Sequence, residues 1–354
     1  MAAQGIVDTA LSGLLPGRLR RGLGLWRPQH DMADQFGKVF IVTGGSSGVG
    51  FQVVKHLAAA QATVILATHN MPGALKALSD IQRDFPHITE RNVIPMYLDL
   101  TSFKSITQFV EAFLAQGLPL HGLVNNAGEA MGPPGPGADG ALPNHTLVTN
   151  FFGPFYLTHL LLTFMSECAP ARVVNVCSAL GEYMGTVDWG DLTGERLSKS
   201  DPLGAYNASK RMTSMATREL AARSRGSGVD VFATHPGFAA TNLWHKSQRS
   251  YPAARLFNVV EEWFAQHPFY GAIPILYALT EPSLTGRTGR YFGGPLMCPI
   301  IMNARCGSYW MGESRDLAAC VRLYDAIVAI VARVVGGGAD PRATAVTASA
   351  TAAQ

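Results

Sequence analysis

The constraint that most narrows what this chain can fold into is a change of periodicity between residues 38 and 60. Lys38-Val39-Phe40-Ile41-Val42 is an almost unbroken apolar run, the pattern of a strand buried on both faces, and Gln52 to Ala60 reads as a helix. Between them stands Thr43-Gly44-Gly45-Ser46-Ser47-Gly48-Val49-Gly50. With no side chains at Gly44, Gly48 and Gly50, the backbone can turn tightly and approach a ligand, and the positive end of the following helix faces it. A strand, a glycine turn and a helix in this order suit the pyrophosphate of a dinucleotide.

Five further apolar runs follow: Ala62 to Ala67, Val93 to Leu98, Leu120 to Asn125, Arg172 to Cys177 and Asp230 to Thr234. Helix-length segments separate them, among them Phe103 to Ala115, Leu147 to Met165 and Ala205 to Arg223. Buried strands joined by helical crossovers predict a doubly wound parallel sheet, a single α/β domain of the Rossmann type. Ligands then gather at the carboxyl ends of the strands, near the point where strand order reverses. The predicted domain spans 37–335, between an N-terminal extension, 1–36, and a low-complexity tail, 336–354, expected to be disordered.

At 354 residues, 47% hydrophobic and 15% charged, the chain is globular and large enough for a full core. A net charge of +3, with no basic stripe interleaved with aromatics, excludes a nucleic-acid role. The five cysteines (Cys168, Cys177, Cys298, Cys306, Cys320) are odd in number and lack metal-ligand spacing, which predicts neither a disulfide framework nor a metal site. A reducing, intracellular compartment follows, cytoplasmic or within an organelle. The N-x-S/T triplets at Asn144 and Asn207 read as accidents of composition. No apolar run approaches the roughly 20 residues that cross a bilayer. In the first 30 residues Ile6, Val7, Leu11, Leu14 and Leu15 precede Arg18, Arg20, Arg21 and Arg27. Three readings stay open for them: a disordered extension, a transit peptide, or an amphipathic anchor on a membrane surface.

Farther along stand Asn125-Asn126-Ala127-Gly128, Asn150, Ser178, Tyr206 with Lys210, and His235-Pro236-Gly237. On these motifs and on the spacing Thr-Gly-x-x-x-Gly-x-Gly, the chain resembles the short-chain dehydrogenase/reductase family from about Lys38 to about Tyr324. Asp191 to Glu195, Ala205 to Lys210, Gly289 to Phe292 and Val321 to Tyr324 look like its retinol-dehydrogenase branch. The resemblance implies an oxidoreductase that passes hydride between a nicotinamide and a carbonyl or alcohol carbon. It implies that Tyr206 transfers the proton, Lys210 tunes it and holds the nicotinamide ribose, Ser178 orients the substrate oxygen, and Asn150 bends its helix and links the lysine to solvent. Tyr206 and Lys210, four apart, share a helix face, and an ammonium beside a phenol should lower the phenol's pKa from about 10. Asn150 is a poor helix former in mid-helix. Phe151 follows it, where the family usually has a polar residue or histidine.

The resemblance also distributes the cofactor. Thr43, Gly44, Ser46, Ser47, Gly48, Val49 and Gly50 surround the phosphates, Asp99 and Leu100 the adenine edge, Asn126, Ala127 and Gly128 the adenine ribose, and Pro236, Gly237 and Thr241 the nicotinamide carboxamide. An acid ending the second strand would bind a ribose 2′-hydroxyl; Thr68 stands there, followed by His69 where NADP-using relatives generally have arginine. NADP(H) is therefore favoured over NAD(H). Phe238, Leu243, Trp244, Tyr251, Leu256, Phe257, Trp263, Phe264, Phe269 and Tyr270 fall in the family's C-terminal substrate lid and suit a lipophilic retinoid, steroid, polyprenal or long-chain aldehyde. Core packing or an interface between copies of the chain is the alternative for them, and the lid is a second place for membrane contact. Two rival functions are a sugar-nucleotide epimerase, whose Thr-Gly-x-x-Gly-x-x-Gly motif is missing, and a catalytically silent cofactor sensor or scaffold, which usually lacks one of the four catalytic residues.

Overall fold

A computed structural model describes residues 26–130, 132–197, 201–237, 267–293 and 310–336. Seven strands form one sheet: β1 (Val39–Thr43), β2 (Thr63–Thr68), β3 (Val93–Tyr97), β4 (Gly122–Asn125), β5 (Ala171–Val176), β6 (Val229–Thr234) and β7 (Tyr291–Phe292). Their order is β3-β2-β1-β4-β5-β6-β7, and each neighbouring pair is parallel. The six strands expected from the apolar runs are present, with ends displaced by at most two residues. β7 is only two residues long, too short to leave a periodic signal.

The strands are mostly apolar because all but the edge strand β3 are buried along their length between two cores. Phe40, Val42, Val64 and Leu66 pack with α2 (Gly48–Ala59), α3 (Met71–Asp84) and α8 (Pro268–Thr280). Their alternate neighbours Val39, Ile41, Ile65 and Ala67 join the opposite layer, built from α4 (Phe103–Leu114), α5 (His145–Glu167), α7 (Pro202–Arg223) and α9 (Leu317–Gly336). This is the two-residue period of a strand used to feed two cores at once. α5 is the one described helix long and apolar enough to cross a membrane, and most of it is buried inside the fold.

The switch point lies at β1, which pairs β2 on one side and β4 on the other. The loop after β1 and the loop after β4 therefore open onto the same crevice.

At its N-terminal edge the domain extends further than the sequence predicts. Trp26 is 2% exposed and meets the Tyr277 ring of α8 edge-on at 5.7 Å, and α1 (Pro28–Asp31) follows it. Gln35, also buried, is tied through its N–H to Ala60 O at 2.8 Å. Residues 26–36 thus belong to the domain rather than to the extension. A four-residue helix carries no periodicity to read, and one tryptophan carries the packing. Residues 1–25 and 337–354 lie outside the described residues. Trp26→Ala should cost about 3 kcal/mol or more in urea unfolding. Trp26→Phe should cost much less, since it keeps ring packing and removes an indole N–H that has no partner among the described residues.

Candidate active site

After Thr43 the chain turns through Gly44 at φ +66° and Gly48 at φ +58° into α2, both in the left-handed region that favours glycine. A Cβ on Gly44 would lie 2.9 Å from Ala127 Cα, and one on Gly50 would lie 2.5 Å from Gly44 O. Side chains there would fill the cradle between the two loops. Ser47 precedes α2 without capping it, and the first turn carries no acid, so the helix N–H groups and dipole are left for an anion. Ser46 Oγ stands 3.4 Å from Thr68 Oγ1. Val49 is buried and anchors the helix in the core.

Thr43 is wholly buried, and its hydroxyl joins the two loops. It donates to Val124 O at 3.3 Å and accepts from Asn126 N and Ala127 N, each at 3.0 Å. Asn126 Nδ2 returns to Thr43 O at 2.9 Å. Thr43 and the Asn126 amide therefore shape the cradle through each other. Asn125 and Asn175 face each other across β4 and β5 and are bonded at 2.7 Å.

The four predicted catalytic residues converge beside this cradle. Asn150 lies in a π-helical turn of α5, Val148–Phe152, closed by Gly153 N on Val148 O. Its Oδ1 accepts from Glu129 N at 2.9 Å, and its Nδ2 donates to Glu129 O at 2.9 Å and Ser209 Oγ at 3.0 Å. Its main-chain carbonyl receives a long bond, 3.5 Å, from Thr213 Oγ1. Phe151 is buried against Phe152 and Phe155. α7 is buried on every face from Ala205 to Thr217, being enclosed by the sheet, α5, α9 and α6 (Ala179–Met184). Ser178, two residues beyond β5, caps α6, its Oγ accepting from Leu180 N at 3.2 Å, and it also interacts with the Tyr206 side chain. Lys210 Nζ donates to Val176 O at 2.8 Å, and a Cβ on Gly128 would come 3.4 Å from that Nζ.

Burial governs the titration of both side chains. It raises the Tyr206 phenol above its ordinary value, the bond from Ser178 opposing it. The expectation that Lys210 lowers this pKa is corrected: the Lys210 ammonium is directed to Val176 O, and desolvation dominates the phenol. Burial pushes Lys210 itself down to about 8.

Among the remaining predicted contacts, Asp99 spends Oδ1 on Thr101 N and Oγ1, at 2.9 and 2.7 Å, and Leu100 is buried. Thr68 accepts from Asn70 N at 3.1 Å, and His69 is exposed beyond it. Gly237, at φ +69°, donates its N–H to His235 Nδ1 at 3.2 Å and follows Pro236. Thr241 and the aromatic run from Phe238 to Phe264 lie outside the described residues. Phe269 stacks near His56 at 5.1 Å and packs with Tyr270 against the core, which is the packing alternative for those two. Asn144 and Asn207 are buried, Asn144 bonding Gly194 O at 2.9 Å. Among the described residues there is no cluster able to hold a metal, and Cys168, Cys177 and Cys320 are unbridged thiols.

Sequence reasoning missed Ser209, which locks Asn150 to the Tyr206 turn, and a buried pair, Glu182 with Arg211. An arginine directly after Lys210 and a glutamate one turn after Ser178 are the signal that was there to find.

The lowered Lys210 pKa means that the unfolded chain binds more protons between about pH 8 and 10.5, so its cost to folding is fully present below pH 8 and fades above it. The stability of Lys210→Met relative to the parent should therefore fall by about 3 kcal/mol between pH 7 and pH 10.5 in denaturant titrations.

The profile of the short chain dehydrogenase family matches residues 38–189. Retinol dehydrogenase 12 of Bos taurus is 38% identical over 258 residues, covering 73% of this chain and 78% of that protein. Retinol dehydrogenase 11 of Homo sapiens is 36% identical over 290 residues, covering 82% and 84%. In fold, the crystal structure of an uncharacterised protein from Mycobacterium paratuberculosis matches with a TM-score of 0.65 at 24% identity, covering 88% of this chain and 97% of that one. With the parallel sheet and glycine cradle, these likenesses show that the chain belongs to the short-chain dehydrogenase family, in its retinol-dehydrogenase-like branch, and is a nicotinamide-dinucleotide oxidoreductase of CH–OH and C=O groups.

Proposed function

We propose that the chain is an NADP(H)-dependent enzyme that interconverts a carbonyl and an alcohol on a lipophilic substrate, with Tyr206, Lys210, Ser178 and Asn150 in the catalytic roles. The observation that supports this reading is the approach of the Asn150 amide and the Lys210 ammonium to Gly128, with Tyr206 one turn before Lys210 on α7 and interacting with Ser178. When bound, the nicotinamide supplies or accepts the hydride. In the reductive direction Tyr206, its phenol pKa raised by burial, donates its proton to the substrate oxygen that Ser178 orients, and in the oxidative direction it takes that proton back. Lys210 holds the nicotinamide ribose. Asn150 has its amide fully engaged, so its link to solvent runs through the main-chain carbonyl of the π turn.

The cradle fits a dinucleotide: glycines where a Cβ would intrude, and a helix N-terminus without a competing acid. Gly44, Ser46, Ser47, Gly48 and Gly50 would hold the phosphates, Asp99 and Leu100 the adenine, Asn126, Ala127 and Gly128 the ribose, and Pro236, Gly237 and Thr241 the carboxamide. Thr68, neutral at the end of β2, carries no charge to repel a 2′-phosphate. For the substrate, Tyr183 and Met184, on the helix that Ser178 opens, are 60% and 61% exposed, and they place apolar surface next to the catalytic turn. The retinol dehydrogenases in its branch support a retinoid-like or other long-chain carbonyl.

Tyr206→Phe should lower kcat by about 100-fold or more while leaving the NADPH Kd nearly unchanged, because only the transferable proton is lost. A tenth of parental turnover would remove Tyr206 from the acid's role. Isothermal titration should show NADPH binding more tightly than NADH, and His69→Asp should reverse the order by repelling the 2′-phosphate. Against a series of aldehydes of rising chain length, Tyr183→Ser/Met184→Ser should raise KM for the long members several-fold and leave the short ones unchanged. Equal effects along the series would point to a polar substrate.

A further inference from the structure

Glu182 lies one turn after Ser178, its N–H bonded to Ser178 O at 3.2 Å, and Arg211 is the residue next to Lys210. Both are 3% exposed, and Arg211 Nη1 meets Glu182 Oε2 at 3.2 Å. Every arm of the guanidinium is used: Nε donates to Gly185 O at 3.1 Å, Nη2 to Glu182 O at 2.6 Å, and Nη1 also to Met311 O and, at 3.0 Å, Ser314 Oγ. Glu182 Oε2 accepts in turn from Met311 N at 2.9 Å. The pair therefore fastens α6 to α7 and both to the short 3₁₀ turn Gly312–Arg315.

The two helices it joins are already in close contact. A Cβ on Gly181 would come 2.6 Å from Lys210 Cβ, and one on Gly185 would come 2.5 Å from Asn207 O. α6 thus lies directly on the turn of α7 that bears Tyr206 and Lys210. A fully buried ion pair is a poor device for stability, since an apolar pair of the same volume does as well or better. What the ion pair supplies is a fixed geometry, five directional bonds on one planar group. We propose that Glu182 and Arg211 are a positioning pair, which holds the Ser178 hydroxyl against the Tyr206 phenol and so sets turnover. This rests on the catalytic roles given above to Ser178 and Tyr206.

The test compares the parent with Glu182→Leu/Arg211→Met, in which no buried charge is left unpaired. The expected result is a Tm near the parent's, an NADPH Kd within about twofold, a KM for a long-chain aldehyde within about threefold, and a kcat lower by about tenfold or more, as a small misplacement of reacting groups produces. Introduced into Ser178→Ala, the same double change should cause almost no further loss, because the pair acts through that hydroxyl. Parental kcat in the double variant, or full additivity with Ser178→Ala, overturns the proposal. Should the double variant not fold, Glu182→Gln, which keeps volume and the Met311 acceptor, must still lower kcat several-fold; parental kcat there overturns it equally. Tyr206→Phe and Ser178→Ala assayed alongside separate the cases: if these retain turnover, the catalytic assignment has failed rather than the pair.

Discussion

The crevice depends on one hydroxyl. Thr43 stands where β1 stops, at the point where the sheet reverses its direction of growth, and its oxygen is shared among Val124 O, Asn126 N and Ala127 N of the neighbouring strand end. Without it, Ala127 N at the tip of β4 would lose its acceptor, at about 1–3 kcal/mol, and Asn126 N would keep only its tight-turn bond to Val124 O at 3.0 Å. It also sets how near the two loops come. The approach of Ala127 to Gly44 leaves no room for a side chain, and the same loop continues to Gly128 and Glu129, whose backbone Asn150 holds. A hydroxyl on the floor of the crevice is thereby coupled through four residues to the π turn of α5.

Much of this was legible from residues alone, and the reasons differ by element. Strands β1 to β6 announce themselves because burial between two layers demands predominantly apolar runs. The glycine turn is legible because its backbone tolerates nothing else. Tyr206 and Lys210 share a helix face by spacing, and Ser178 and Asn150 stand out through the family resemblance; the fold puts the Asn150 amide and the Lys210 ammonium both beside Gly128. What stayed hidden is what depends on partners distant in sequence. Trp26 has no pattern around it, and its place in the core exists only once α8 has folded against it. Glu182 and Arg211 are 29 residues apart and complete their bonds with Met311 and Ser314, about a hundred residues later. The sign of the Tyr206 shift was also beyond the sequence: spacing puts a lysine nearby, but only the fold shows that its ammonium is directed to Val176 O and that the phenol is dry.

The departures from ordinary folding rules gather in one place. An asparagine interrupts a helix with a π turn, a lysine is buried with its ammonium on a main-chain carbonyl, and an ion pair is sealed between helices. Each is costly where an apolar residue would serve stability better, and all of them touch α7 or its immediate neighbours. Such clustering is what a site maintained for chemistry leaves behind. Around it the two cores are conventional, alternate residues of each strand feeding opposite layers.

The layer that closes over α7 is made last. Cys320, Leu323, Tyr324, Ile327 and Val331 of α9 are buried against this side of the domain, and Tyr324 OH donates to His159 Nε2 of α5 at 2.9 Å, the imidazole being held neutral by burial with a pKa of about 4. During synthesis, the helix bearing Tyr206 and Lys210 has already emerged more than a hundred residues before its outer cover. Until α9 arrives, one flank of α7 is open apolar surface. Packing around α7 is therefore completed only once α9 has been made, and until then the nascent chain needs protection over that flank.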